Sequence, residues 1–162
     1  MKSLAVIAAL TLAPAAFAGE LVVHLISHHS DYNRDTTTDS FNKQSWQWET
    51  TNIRAYNNQN FGVGYVTDDS WTLGVYHNSY YHASAYFGRQ FLWDTPLALF
   101  DRPVRAGGML LVATGYPQRT LQPFPGLQLN VPVLPMVDAV LVAAPPVAGN
   151  NGVVHLALTY RL

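Results

Sequence analysis

The chain of 162 residues contains no cysteine. Disulfide staples and thiolate metal sites are therefore excluded, and a domain of this size must hold together by burial and backbone hydrogen bonds. Charge is scarce too. Asp, Glu, Lys and Arg make up 12 % of the residues, about half the usual share of a soluble domain. The formal net charge of −1 leaves no basic surface of the kind that binds nucleic acid. Beyond residue 18 there is no run of about twenty apolar residues, so a membrane-spanning helix is excluded. His28, His29, His77 and His82 follow no recognised ligand spacing, so neither a metal nor a cofactor is expected.

What is present begins with a leader. Met1-Lys2 is a short positive start, "LAVIAALTLAPAA" is an apolar run, and "AFA" at Ala16–Ala18 is a small-x-small cleavage site. Residues 1–18 read as a secretory signal peptide and residues 19–162 as one domain. An exported, charge-poor, aromatic-rich chain without a spanning helix fits an all-β, antiparallel transmembrane barrel of about eight strands. Closure of such a barrel satisfies every backbone polar group in lipid. The expected location is the outer membrane of a Gram-negative bacterium, and the expected state is a monomer inserted by the outer-membrane assembly machinery. A soluble periplasmic β-domain is the alternative.

The patterning supports strands. In "GVVHLALTYRL", Val154, Leu156, Leu158, Tyr160 and Leu162 share one face, and His155, Ala157, Thr159 and Arg161 the other; this is the apolar-out, polar-in alternation of a barrel. "NFGVGYV" and "WTLGVYHNSY" read as a hairpin turned by "TDDS", with Tyr65 and Trp71 as an interfacial girdle at the periplasmic end. A strand from about Ala83 runs to Trp93, followed by the proline-bounded "DTPLALFDRP". "VRAGGMLLVATGY" is apolar on both faces, so the interior there is either packed solid or hollow for something apolar. Pro132 and Pro135 belong at an opening, edge or bulge. Val137–Ala144 reads as a strand, and residues 30–60 as a long external loop with an extra strand around Gln47–Ile53.

The chain resembles the outer-membrane lipid A palmitoyltransferases (the PagP family), eight-stranded barrels that hold one acyl chain inside. The resemblance rests on His29, "YNNQNFGVGY", "SWTLGVYHNSYYHASAYFG", the Gly-rich strand through Gly115, "VPVLP" and "NNGVVHLALTYRL". It implies acyl transfer to or from lipid A or phospholipid by an early His and an Asp-Ser pair after the third strand. Here that pair is Asn78-Ser79, so Ser79 carries over and the Asp does not. His29 is preferred over His28 because its strand parity matches Leu21, Val23 and Leu25, as that of Ser79 matches Leu73 and Val75; Asp31 is a candidate to orient it. A neutral His can take a hydroxyl proton, and Asn78 can donate to a developing oxyanion. Gly107, Gly108, Ala113 and Gly115 suggest room for the acyl chain. Gly74–Gly88 then reads as two strands meeting at an external rim, with Tyr, His, Asn and Ser exposed to outer-leaflet lipid. His77-x-Ser79 and His82-x-Ser84 also resemble the His-x-Ser arrangement of lipid A deacylases, the spacing placing both side chains on one strand face. The missing Asp favours a third reading, a non-enzymatic surface-modifying or structural barrel.

Overall fold

Strands with small or polar side chains on one face and large apolar ones on the other can close around a polar interior. This chain does so in the computed structural model. It describes residues 19–30, 36–42, 47–53, 56–116, 119–146 and 152–162, with only the backbone of 36–42 and 47–53. Residues 1–18, Asp31 and the cleavage site expected before Gly19 lie outside the described residues, except for Gly19 itself.

Ten strands are described: β1 Gly19–His29, β2 Thr36–Asn42, β3 Gln47–Ile53, β4 Gln59–Thr67, β5 Trp71–His77, β6 Ala83–Leu99, β7 Arg102–Ala113, β8 Gln122–Leu134, β9 Val137–Ala144 and β10 Val153–Arg161. Eight of them form a closed antiparallel barrel in the order β1-β10-β9-β8-β7-β6-β5-β4. The expected eight-stranded barrel is what the chain forms. β2 and β3 pair with each other as a separate hairpin between β1 and β4, and β3 coincides with the extra strand anticipated in the long loop.

The register fixes the shape. From Val22, pairing through β10 and β9 reaches Pro132 on β8. Pairing the other way, through Gly64, Gly74, Tyr86 and Ala113, reaches Gln122. The two routes arrive ten residues apart on the same strand. A shear of that size in eight strands goes with a tilt of about 40° and an interior that side chains nearly fill.

Burial is inverted relative to a soluble domain. Val22, Val66, Val140 and Ala157 form a small apolar cluster inside. Much of the rest of the buried set is polar: Asn60, Thr72, Asn78, Ser84, Gln122, Gln128, Asn130, Asp138 and Thr159. Outside, Phe61, Val75, Phe87, Trp93, Leu110, Leu127 and Val154 are exposed. The outward face is therefore rich in large apolar side chains. On β10 the expected split holds, with Ala157 and Thr159 buried and Val154 and Tyr160 exposed.

Short turns gather at one end with Gly19 and Leu162, whose backbones bond at 3.0 Å. The "TDDS" turn closes through Ser70 N–H to Thr67 O at 2.9 Å, and Trp71 beside it stacks on Phe87 at 5.1 Å. No hairpin is expected at "DTPLALFDRP" from its residues, yet β6 continues to Leu99 and turns through Phe100-Asp101. Both residues have positive φ, the two-residue geometry that Asn-Gly usually marks. Pro96 is absorbed between Asp94 and Ala98, where the β6–β7 register slips. Pro132 likewise sits at the slip between Pro132 and Leu134, and Pro135 is in the following turn.

At this end the barrel is plugged by charge. Asp138 receives Arg102 at 2.5 Å and Arg105 at 3.2 Å, and Arg105 also reaches Glu20 at 2.6 Å. Arg161 stands 3.9 Å from both acids. Arg102 further donates to the carbonyls of Leu134 and Pro135.

Candidate functional site

The other end carries the long connections, and a cavity of about 140 Å³ opens there. Its wall is part apolar, from Val22, Met109, Leu111, Val140 and Val142, and part ring and amide, with Tyr76, Tyr80, Tyr86 and Tyr116 among the rings. Met109 and Leu111 point inward from the Gly-rich strand, so that greasy strand lines a hollow.

His29 and Ser79 both line this cavity, but not for the reason of parity. Leu21 and Val23 share the outward-facing register of β1, and Val23 is exposed. The register of β1 slips between His24 and Ile26. The bulge reverses the alternation, so Ser27 and His29 face in while Ile26 and His28 face out. Ser79, expected to follow the exposed Leu73 and Val75, has left the strand altogether. β5 ends at His77, and residues 78–82 form a turn in which Asn78 N–H donates to His82 O at 2.8 Å and Tyr81 has φ +62°.

The segment Tyr56–Asn60, leading into β4, organises the mouth. His29 stacks on Tyr56 with ring centroids 4.5 Å apart. Its Nδ1 lies 3.4 Å from Asn58 Oδ1. An amide oxygen only accepts, so this contact places the proton on Nδ1 and leaves the Nε2 lone pair as the basic site. Asn60, buried, accepts from Ser27 Oγ and donates to His77 O at 3.0 Å and, at 3.5 Å, to Ser79 Oγ. Asn57 latches the turn through Asn78 O and His77 Nδ1. No hydrogen bond joins His29 to Ser79 among the described residues.

Asn78 has no exposed surface. Its Nδ2 donates to Ser84 Oγ at 2.9 Å and Gly115 O at 2.8 Å, and its Oδ1 accepts from Tyr80 N–H at 2.9 Å and His82 N–H at 3.0 Å. Both amide protons are committed, so the expected oxyanion donor is a turn-building residue instead. This also accounts for Asn where the resemblance asks for Asp: a carboxylate has no proton for Gly115 O.

Three further expectations change. Gly108 pairs with the exposed Phe91 and Leu127 and so lies on the outer face. Gly107 is on the inward row, but the Phe91 carbonyl and Trp93 crowd it, and it is outside the cavity wall. Gly115, with φ +80°, is a loop residue whose carbonyl anchors Asn78 and His82. The exposed rim imagined for Gly74–Gly88 is only half right. His77 and His82 are exposed, while Tyr76, Asn78, Ser79, Ser84 and Tyr86 turn inward. The His-x-Ser pairs are split in the same way, since His77 points out and Ser84 is buried on Asn78 and Thr114 O. No group of three potential metal ligands occurs among the described residues.

Rings line the mouth as an unbroken series. Beyond His29 and Tyr56, Tyr80 meets Tyr56 edge-on at 5.4 Å, Tyr116 meets Tyr80 at 5.7 Å, and Phe124 meets Tyr116 at 5.0 Å. Tyr76 and Tyr116 share a hydroxyl–hydroxyl bond of 2.7 Å. Burial, with Tyr76 beside it, holds the Tyr116 phenol well above its usual range, so it stays a neutral hydrogen-bonding group. Two residues deeper in the cavity, His24 and His155, were overlooked in the sequence. A cue was there: both sit in the tetrapeptide "VVHL", at 22–25 and 153–156, on strands that turn out to be neighbours.

Among the described residues, the wall beside the mouth is not laddered along the whole of β8. β8 pairs with β9 only from Leu127 onward, so Gln122–Gly126 have no β9 partner. Pro123 and Pro125 lie in that stretch, and neither has an N–H to offer. Pro132 and Pro135, expected at an opening, edge or bulge, lie at the register slip and the turn at the other end of β8.

No family model, curated protein or solved structure matches the chain. The fold and site together define a closed eight-stranded barrel, salt-bridged at one end and open at the other into a cavity lined by rings, amides and aliphatic side chains.

Proposed function

We propose that the protein is an outer-membrane barrel that draws one acyl chain of a membrane lipid, lipid A or a phospholipid, into its interior and acts on the ester at the mouth, as a palmitoyltransferase-like enzyme. The observation that carries this reading is one cavity with aliphatic walls whose open end holds His29 and Ser79. The exposed apolar wall suits lipid contact, and the unladdered stretch at Pro123–Pro125 suits lateral passage of a chain. Asn58 leaves His29 Nε2 free to take the proton of an attacking hydroxyl, whether of Ser79 or of an acceptor lipid. As the new ester C–O bond forms the old one breaks, and the proton is returned to the departing lysolipid.

A second reading, a lipid-binding barrel without chemistry, is favoured by one observation: His29 and Ser79 share no hydrogen bond among the described residues. The test covers both. The protein is recovered from outer membranes, and lipids from expressing cells are compared by mass spectrometry with those carrying Ser79→Ala or His29→Asn. New acylated or deacylated species that fall about 10²–10⁴-fold in His29→Asn support the enzyme. Ser79→Ala should match it, with the double variant little worse, because groups acting as a unit are not additive. Unchanged lipids in the wild type leave the binding barrel, and recovery in the soluble fraction ends both.

A further inference from the structure

Half-way down the cavity the wall turns polar. His24 Nε2 lies 2.9 Å from the Tyr86 hydroxyl, and His24 Nδ1 lies 3.0 Å from His155 Nε2. The three rings also pack, His24 standing 5.2 Å from both Tyr86 and His155. The barrel itself does not demand such groups here. The next inward positions on the same strands are Val22 and Ala157, the apolar cluster of the interior. Burying imidazoles in a greasy tube costs free energy unless each polar atom is matched. The matching is deliberate at the level of the backbone: Gly64 and Gly74 leave the space that Tyr86 occupies, since a Cβ on Gly74 would stand 2.6 Å from its ring. Only so can Tyr86, on β6, reach across β5 and β4 to His24 on β1.

The chain of bonds stops at His155. Its Nδ1 has no hydrogen-bond partner among the described residues, and the ring lines the cavity. The chain can run in either direction. If Tyr86 donates, His24 passes the polarity on and His155 presents an N–H; if Tyr86 accepts from His24, His155 presents a lone pair. The site therefore matches a small neutral group that both donates and accepts. A charged group does not suit it, because no counter-charge lines this cavity among the described residues.

We infer that the Tyr86–His24–His155 chain is a binding site for a hydroxyl carried along the acyl chain, so that the cavity selects hydroxylated over plain chains. This rests on the acyl-cavity reading above. The depth sets the position. His155 faces Ser27, one inward step below His29, and His24 is the next step down. With about 3.3 Å rise per residue and a tilt of about 40°, each two-residue step descends about 5 Å. A chain whose ester sits at His29 would bring roughly its fifth to eighth carbon to this level.

The test uses the full chain in phospholipid nanodiscs. Hexadecanoic acid and three monohydroxy forms are titrated calorimetrically, substituted next to the carboxyl, near the seventh carbon, and at the far end. The mid-chain form should bind several-fold and up to about tenfold more tightly than the plain acid, the worth of one neutral hydrogen bond. His155→Leu should erase that preference, so that the mid-chain form binds no more tightly than the plain acid. If His155→Leu does not fold, as judged by heat-modifiable migration, His155→Phe removes the same ring nitrogens while keeping a ring at that position. Equal binding of all four acids, or a preference that survives either variant, overturns the inference and leaves the cavity reading standing. Failure of every acid to bind overturns both.

Discussion

At one end of the barrel five charged side chains interlock; at the other, among the described side chains, rings and neutral amides do the same work, with Arg119 the one formal charge beside them. The floor gathers Glu20, Asp138, Arg102, Arg105 and Arg161 within 4 Å of one another's partners. The mouth is held by Asn57, Asn58, Asn60 and Asn78 through side-chain amide hydrogen bonds. On the acyl-binding reading proposed above, the difference follows from what each end must do. Charges removed from water gain only if each is matched, and once matched they leave little reason for the cluster to open. Neutral amides are cheaper to bury and to expose, so on that reading a mouth built from them would admit a lipid tail without stripping water from an ion.

The comparison is broken hardest at Asp138. Replacing it with Leu leaves Arg102 without its acid and Arg105 with Glu20 alone. Removing one partner of a buried pair costs about 3–5 kcal/mol, so the urea midpoint of the heat-modifiable band should fall steeply. Asp138→Asn, which keeps some acceptor capacity, should fall between. A loss below about 1 kcal/mol, the scale of an exposed pair, would mean that water already reaches the floor.

At the mouth the matching change is Asn78→Asp. It restores the acid that the palmitoyltransferase resemblance asks for, yet it removes the two N–H donors aimed at Ser84 and Gly115 O. A buried carbonyl left facing a carboxylate loses its partner and gains a repulsive neighbour, so about 1–3 kcal/mol of stability should go. Acyl transfer should not rise. A rise would show that the turn tolerates the acid and that Asp belongs to the chemistry.

Much of this architecture was legible because period-two patterning is read along one strand at a time. The alternation of Val154 to Leu162 and the hairpin around "TDDS" needed no tertiary knowledge. What escaped depends on breaks in that period. One extra residue at Leu25 turns His29 inward, so its place on the cavity wall follows from the bulge and not from the parity of Leu21 and Val23. The Phe100-Asp101 turn carries none of the usual Gly or Asn, and Pro123, Pro125 and Pro132 made β8 look unlike a strand until its neighbours showed where ladder bonds were not needed. The Asn cluster at 57–60 was invisible as a site because each amide acts across strands. The His24–His155 contact could be seen only once β1 and β10 were known to be neighbours.

The finest contrast is between two glycines one strand apart. Gly126 lines the cavity, and a Cβ there would meet Val142 at 3.1 Å and Met109 at 3.4 Å. Gly108 faces outward, with only the Gly126 carbonyl nearby at 3.4 Å. Gly126→Leu places four carbons inside the tube, below the Tyr86–His24–His155 level or beside it. The barrel can yield there, because Met109 is flexible and the space is empty, so the stability change should stay near 1 kcal/mol, at the low end for overpacking. Binding of a long acyl chain should weaken and a shorter one be favoured. Gly108→Leu adds the same volume to the outward-facing wall, should change stability by no more than about 0.5 kcal/mol, and should leave chain selectivity untouched. Titrating both variants with acids of graded length decides the matter. If Gly108→Leu alters selectivity and Gly126→Leu does not, then the chain lies against the outside of the barrel, and the cavity is not where the lipid goes.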